Sequence, residues 1–248
     1  MLRLFVAALL LTLVAGTTTP ADEGVYELRI YTCEPGKLDA LNSRFENHTM
    51  RIFAKHGMKN IAYWTPTTEG DQRLIYIIRH ESMDAAKASW QAFINDPEWK
   101  EVAKASQEEH GKILAKAPES TYMKVTDYSP DVGMVDPNKL YEMRIYTTEE
   151  GRLDALNARF RDHTQKIFAR HGLKSFAYWT PVEGEKSQNT LIYVLETDNK
   201  DAAAAAWKAF GADPEWQTAR AASEKDGKIL AQRPESVYMK ATAYSPKQ

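Results

Sequence analysis

The sequence contains a single cysteine, Cys33, in 248 residues. One thiol closes no internal disulfide and furnishes no cysteine-based zinc site, so neither staple supports the fold. A surplus of one charge is also missing: 32 basic against 34 acidic side chains leave a formal charge of −2. That balance gives no electrostatic case for a polyanion, and no nucleic-acid partner is expected. A Gly-rich phosphate loop, a G-x-S-x-G elbow, an H-E-x-x-H pair and a Cys-His constellation are all absent, which excludes the commonest nucleotide, hydrolase and zinc-protease readings. What is present, 43% hydrophobic and 27% charged residues, is the composition of a globular chain that must bury a core, not of a disordered, collagenous or polytopic membrane chain. The length allows one large domain or two of about 100 to 150 residues.

The longest apolar run is at the start. Met1-Leu2-Arg3 is short and basic, Leu4 to Ala15 is apolar except for Thr12, and Gly16 to Ala21 is small or turn-prone. The segment reads as a secretory signal peptide over residues 1–21, with small residues placed for a cut after Ala21 and cuts after Ala15 or Thr17 as alternatives. Its core is shorter than the roughly 20 residues that span a bilayer, so no permanent membrane anchor is expected. Thr17 stands where a lipoprotein signal would carry cysteine. The expected location is secreted or periplasmic.

The remaining chain is one unit written twice. Tyr26-Glu27-Leu28-Arg29-Ile30-Tyr31-Thr32 returns as Tyr141-Glu142-Met143-Arg144-Ile145-Tyr146-Thr147, and Ala62-Tyr63-Trp64-Thr65-Pro66 as Ala177-Tyr178-Trp179-Thr180-Pro181, both shifted by 115. Asp96-Pro97-Glu98-Trp99 and Asp213-Pro214-Glu215-Trp216 follow nearly in register. A period this long makes each copy a domain, not a solenoid repeat. The reading is domain 1 over 24–130, a Pro- and Gly-containing linker over 131–139, and domain 2 over 140–248.

Within a copy, Val25–Cys33 has the β-branched and aromatic content of a strand. Leu38, Leu41, Phe45, Ile52 and Phe53 keep helical spacing from Pro35 to Gly57. Strands are predicted over 59–65, 72–80 and 119–128, with helices over 83–94 and from Asp96-Pro97 to about His110, Asp96 being the N-cap. The order is βαββαβ, an α+β ferredoxin-like unit with an extra helical stretch. Leu74-Ile75-Tyr76-Ile77-Ile78 and Leu191-Ile192-Tyr193-Val194-Leu195 are apolar on both faces, so each sheet is covered twice. Helices cover one face; the sister sheet is expected to pack on the other. An intramolecular pseudo-dimer satisfies this requirement, as does a homo-oligomer using the same faces.

Tyr26-Glu27-Leu28-Arg29-Ile30-Tyr31, Pro35-Gly36-Lys37-Leu38, His48, His56-Gly57, Tyr63-Trp64 and Asp96-Pro97-Glu98-Trp99 together resemble the NIPSNAP family, twice along the chain. The resemblance implies a dimeric α/β-barrel fold whose ferredoxin-like units pair sheet to sheet. It also implies largely unassigned biochemistry, with superfamily branches that include cofactor-free monooxygenases and haem-handling enzymes. The signal peptide departs from the mitochondrial setting described for animal members.

His48 and His163 hold equivalent places on the first helix of each copy and are expected to face a core or a pocket, as a general base, a haem ligand or a hydrogen-bonded structural histidine. His56 and His171, each followed by glycine, read as helix-end residues bonded to terminal carbonyls. Side-chain alternation puts Glu27, Arg29 and Tyr31, with Glu142, Arg144 and Tyr146, on one strand face. Glu and Arg on a covered face imply an internal ion pair, cross-strand pairing with Lys124 or the sister pair, or polar groups that orient a ligand. Tyr63, Trp64, Tyr178 and Trp179 line an aromatic cavity or fill the core. The expectation is an exported binding module for a small apolar or aromatic ligand or for a protein, with no metal and no cofactor. The alternative is a cofactor-free monooxygenase or haem-handling enzyme that uses a pocket between the first helix and the sheet.

Overall fold

The computed structural model describes residues 24–247; the expected leader lies outside them. Each copy contributes four strands: β1 (Val25–Thr32), β2 (Lys59–Pro66), β3 (Arg73–His80) and β4 (Glu119–Val125), then β5 (Leu140–Thr147), β6 (Lys174–Pro181), β7 (Thr190–Thr197) and β8 (Glu235–Ala241). The half-sheets run β4-β1-β3-β2 and β8-β5-β7-β6, and β2 pairs with β8 while β4 pairs with β6. Two ferredoxin-like units thereby close one antiparallel barrel. The inner faces of the two sheets do face each other, and their edges are hydrogen-bonded as well, which removes the open edges that invite association.

The doubly apolar strands sort their side chains as the period of two requires. Leu28, Ile75, Ile77 and Met123 meet Met143, Ile192, Val194 and Met239 inside the barrel. Trp64 crosses the boundary between copies, with ring centroids 5.7 Å from both Tyr141 and Phe176. The linker is more than a tether: Val135 is fully buried in this shared core, bridges to Lys247, and is followed by Asp136, whose N–H donates to the Tyr141 hydroxyl at 2.7 Å. One end of the barrel is thus plugged from within the chain.

On the outer face lie helices α1 (Leu38–Arg44), α2 (Met50–Lys55), α3 (Met83–Asn95) and α4 (Pro97–His110), and in the second copy α5 (Leu153–Arg159), α6 (Gln165–Arg170), α7 (Lys186–Asn189), α8 (Lys200–Ala212) and α9 (Pro214–Ser223). Asp96 and Asp213 cap α4 and α9 as predicted, accepting the N–H of Glu98 and Glu215 at 2.8 and 2.9 Å. The predicted first helix is continuous but carries a π turn, Phe45–Thr49, repeated at Phe160–Thr164. Thr49 and Thr164 hydroxyls donate to the Arg44 and Arg159 carbonyls that the wide turn frees, at 3.2 and 3.0 Å. The fourth strand is shorter than predicted: β4 stops at Val125, and Tyr128 turns away to pack beside Tyr178, 5.4 Å between centroids.

Candidate functional site

β1 presents Glu27, Arg29 and Tyr31 to the helices and Tyr26, Leu28 and Ile30 to the barrel. Glu27 is fully buried and its carboxylate is saturated. Arg29 Nη1 and Ser120 Oγ donate to Oε1 at 2.8 and 2.6 Å; His80 Nε2 and Trp90 Nε1 donate to Oε2 at 3.0 and 2.7 Å. Burial pushes the Glu27 carboxyl up, but the bonds from His80, Arg29 and Ser120 outweigh it and hold the group below its ordinary value. The guanidinium of Arg29 lies 4.3 Å above the Trp90 ring. The second copy repeats the cluster, with Arg144 at 2.6 Å, Ser236 at 2.5 Å and Trp207 at 2.6 Å from Glu142, and Arg144 4.3 Å over Trp207. Thr197 stands in place of His80.

Of the readings open for these charges, the structure selects an ion pair within each strand; neither Lys124 nor the sister pair takes part. Ser120, Trp90 and His80, with Ser236 and Trp207, were not assigned to the cluster from sequence. They come from other elements, and only the oddity of a carboxylate on a covered face signalled that such donors had to exist.

The other predicted residues are dispersed. Tyr63 and Tyr178 lie on the helix side, stacked on Tyr76 and Tyr193 at 5.0 and 5.5 Å, and burial raises both phenols well above their ordinary value. Trp64 and Trp179 lie on the barrel side. His48 is exposed and His163 half-buried, so of the expected core or pocket neither takes the core, and His48 borders a groove between the first helix and α4: the π turn inserts a residue, and Thr49 and Thr164 take the inward places. His56 and His171 bond not to terminal carbonyls but to the capping carboxylates, Asp96 at 2.6 Å and Asp213 at 2.7 Å. Gly57 and Gly172 supply the left-handed backbone at φ 79° and 82°.

The space between the first helix and the sheet is filled. Tyr31, Phe45, Phe53, Tyr63 and Tyr76 touch ring to ring, with centroids 5.0–6.2 Å apart. Haem needs an apolar slot with an axial ligand; here there is no slot, and the helix histidine points away from it. The residues present do not fit the group.

Space exists instead at the other end of the barrel, opposite Val135 and open among the described residues. A cavity of about 650 Å³ opens there, floored by Leu28 and Ile30 of one copy and Met143, Ile145, Ile192 and Val237 of the other. Its rim includes Arg73, Lys116, Glu119, Lys186 and Glu235. Arg73 is held by Asp71 through bonds of 2.8 and 2.6 Å, and Lys116 pairs with Glu119. The volume falls within the range of small-molecule pockets. Sequence patterning put these apolar side chains on the inner face, but which end of the barrel stays open depends on where the linker folds.

The NIPSNAP family profile matches residues 26–130 and again 141–246. The chain belongs to the NIPSNAP family. No curated protein matches this NIPSNAP chain by sequence. Among solved structures it is similar to an anthrone oxidase-like protein, with TM-score 0.59, 14% identity, and 89% of this chain and 92% of that one covered. It is similar also to a candidate monooxygenase of Lactobacillus acidophilus, with TM-score 0.56, 10% identity and coverage of 88% and 94%. A candidate monooxygenase of Fusobacterium nucleatum gives TM-score 0.55, 11% identity and coverage of 88% and 92%. At these identities the likeness is one of fold.

Proposed function

We propose that this tandem NIPSNAP protein is an exported binding module that holds one small apolar or aromatic molecule in the open end of its barrel. The observation that carries this reading is the cavity built from both copies, with an apolar floor and a rim that carries charges of both signs. Such a rim favours a neutral or weakly amphipathic ligand. Among the described residues no nucleophile and base are paired there: the Ser120 and Ser236 hydroxyls at its wall are committed to Glu27 and Glu142. The names of the fold neighbours favour a second reading, a cofactor-free oxygenase acting on an aromatic substrate in the same cavity.

Thermal-shift measurements with neutral aromatic compounds test the binding reading. A ligand at about 100 times its Kd stabilises the chain by about 2.7 kcal/mol. The shift is expected for the native chain and is lost when Met143→Trp and Ile145→Trp fill the floor. Equal shifts in the filled variant refute the site. Oxygen uptake with a phenolic compound moves the assignment to the oxygenase, and a Soret band on haem titration refutes the mismatch with haem.

A further inference from the structure

Arg44 and Arg159 end α1 and α5 at equivalent places, each reaching over a tryptophan of the neighbouring helix, Trp99 at 5.5 Å and Trp216 at 5.1 Å. Their electrostatic surroundings differ. Arg159 Nη1 donates to Ser223 Oγ at 3.2 Å and forms an ion pair with Glu224 at 3.3 Å. Both Ser106 and Ser223 stand seven residues after the tryptophan, and the next position is Gln107 in the first copy and Glu224 in the second. Arg44 therefore has no carboxylate within ion-pair distance among the described residues; its one side-chain hydrogen bond is a long 3.4 Å contact to Ser106 Oγ, and its Nε, like that of Arg159, is buried without a partner. A half-buried guanidinium left this way is a cation still in want of a counter-ion.

Arg44 is also open to a groove. A depression of about 770 Å³ runs between α1, its π turn and α4, with Ala40, Val102 and Ala105 as its apolar bed and His48 and His110 among its walls. We propose that this groove binds a monocarboxylate with a short apolar or aromatic body. The carboxylate sits on the Arg44 fork, whose planar donors match its two oxygens; the body lies on the apolar bed. Asp39, Glu101 and Glu109 also line the groove and repel multiply charged anions, which sets a carboxylate apart from phosphate. The second copy carries its own carboxylate, Glu224, in the ligand's place. The site is thus single, and it is independent of the barrel mouth.

Calorimetric titration of the full mature chain with benzoate tests this, with benzamide and inorganic phosphate as comparisons. One benzoate per chain is expected, with benzamide and phosphate at least roughly tenfold weaker. Gln107→Glu, a surface change that installs the sister's counter-ion, weakens benzoate by about tenfold or more. The barrel-filling variant Met143→Trp/Ile145→Trp keeps its benzoate affinity, so the two sites are read separately. Benzamide or phosphate binding as well as benzoate, or a Gln107→Glu chain that binds benzoate unchanged, overturns the proposal.

Discussion

Replacing Glu27 with glutamine keeps the shape of the side chain and removes its charge. The substitution leaves Arg29 half-buried without its counter-ion. It also turns an NH₂ group toward either the Arg29 and Ser120 donors or the His80 and Trp90 donors, so at least one pair of bonds is lost whichever way the amide sits. Breaking a buried charge pair from one side costs about 3–5 kcal/mol. At roughly 2–4 °C per kcal/mol for a chain of this size, Tm should fall by about 10 °C or somewhat more. Glu142→Gln should cost less by about 1 kcal/mol, because Thr197 offers no bond where His80 does. Acid modulates the difference. The folded-state pKa of Glu27 lies below its ordinary 4.5, so the stability it contributes is fully present above pH 4.5 and is lost as pH falls through the lowered folded value. Urea unfolding of both chains from neutral pH downward should show the gap constant above pH 4.5 and closing below it. A gap under about 1 kcal/mol at neutral pH would refute the view that this carboxylate is the electrostatic centre of its cluster.

Trp64→Ala removes a ring that touches the other copy at Tyr141 and Phe176; a loss of about 3–5 kcal/mol in one cooperative transition is expected, and calorimetry resolving two transitions would contradict it. Residues 24–130 alone expose the β2 and β4 edges and the inner sheet face, so sedimentation should find a homodimer that rebuilds the barrel or an aggregate, not a stable monomer. Mass spectrometry of the protein from its native host should find an N-terminus between Gly16 and Glu23 and no lipid; an intact Met1 in a soluble cytoplasmic fraction contradicts export.

The repeat, the order of elements and the double burial of β3 and β7 were legible because each is a local pattern: a copied string, a period, an uninterrupted apolar run. Asp96 as a cap was legible for the same reason, since cap and first turn are neighbours in sequence. Whether His48 faces the core or a groove is not legible in the sequence, because the apolar positions of the first helix fit an ordinary period well enough to hide one inserted residue. Glu27 and Arg29 could be placed on one covered face, but not joined to Trp90, Ser120 and His80, which only the tertiary fold brings to them. The cavity was the least legible feature, since it depends on Val135 plugging one end of a barrel while no described residue plugs the other.

Stoichiometry tests the central claim most directly. A cavity floored by Leu28 and Ile30 from one copy and Met143 and Ile145 from the other is a single site shared by the whole chain, whereas pockets between helix and sheet would come in pairs, one for each copy. Titration calorimetry of the full chain with the strongest neutral aromatic ligand from the thermal-shift series should give one molecule per chain, abolished by Met143→Trp/Ile145→Trp. Two equivalent molecules per chain, unaffected by that variant, would contradict the account.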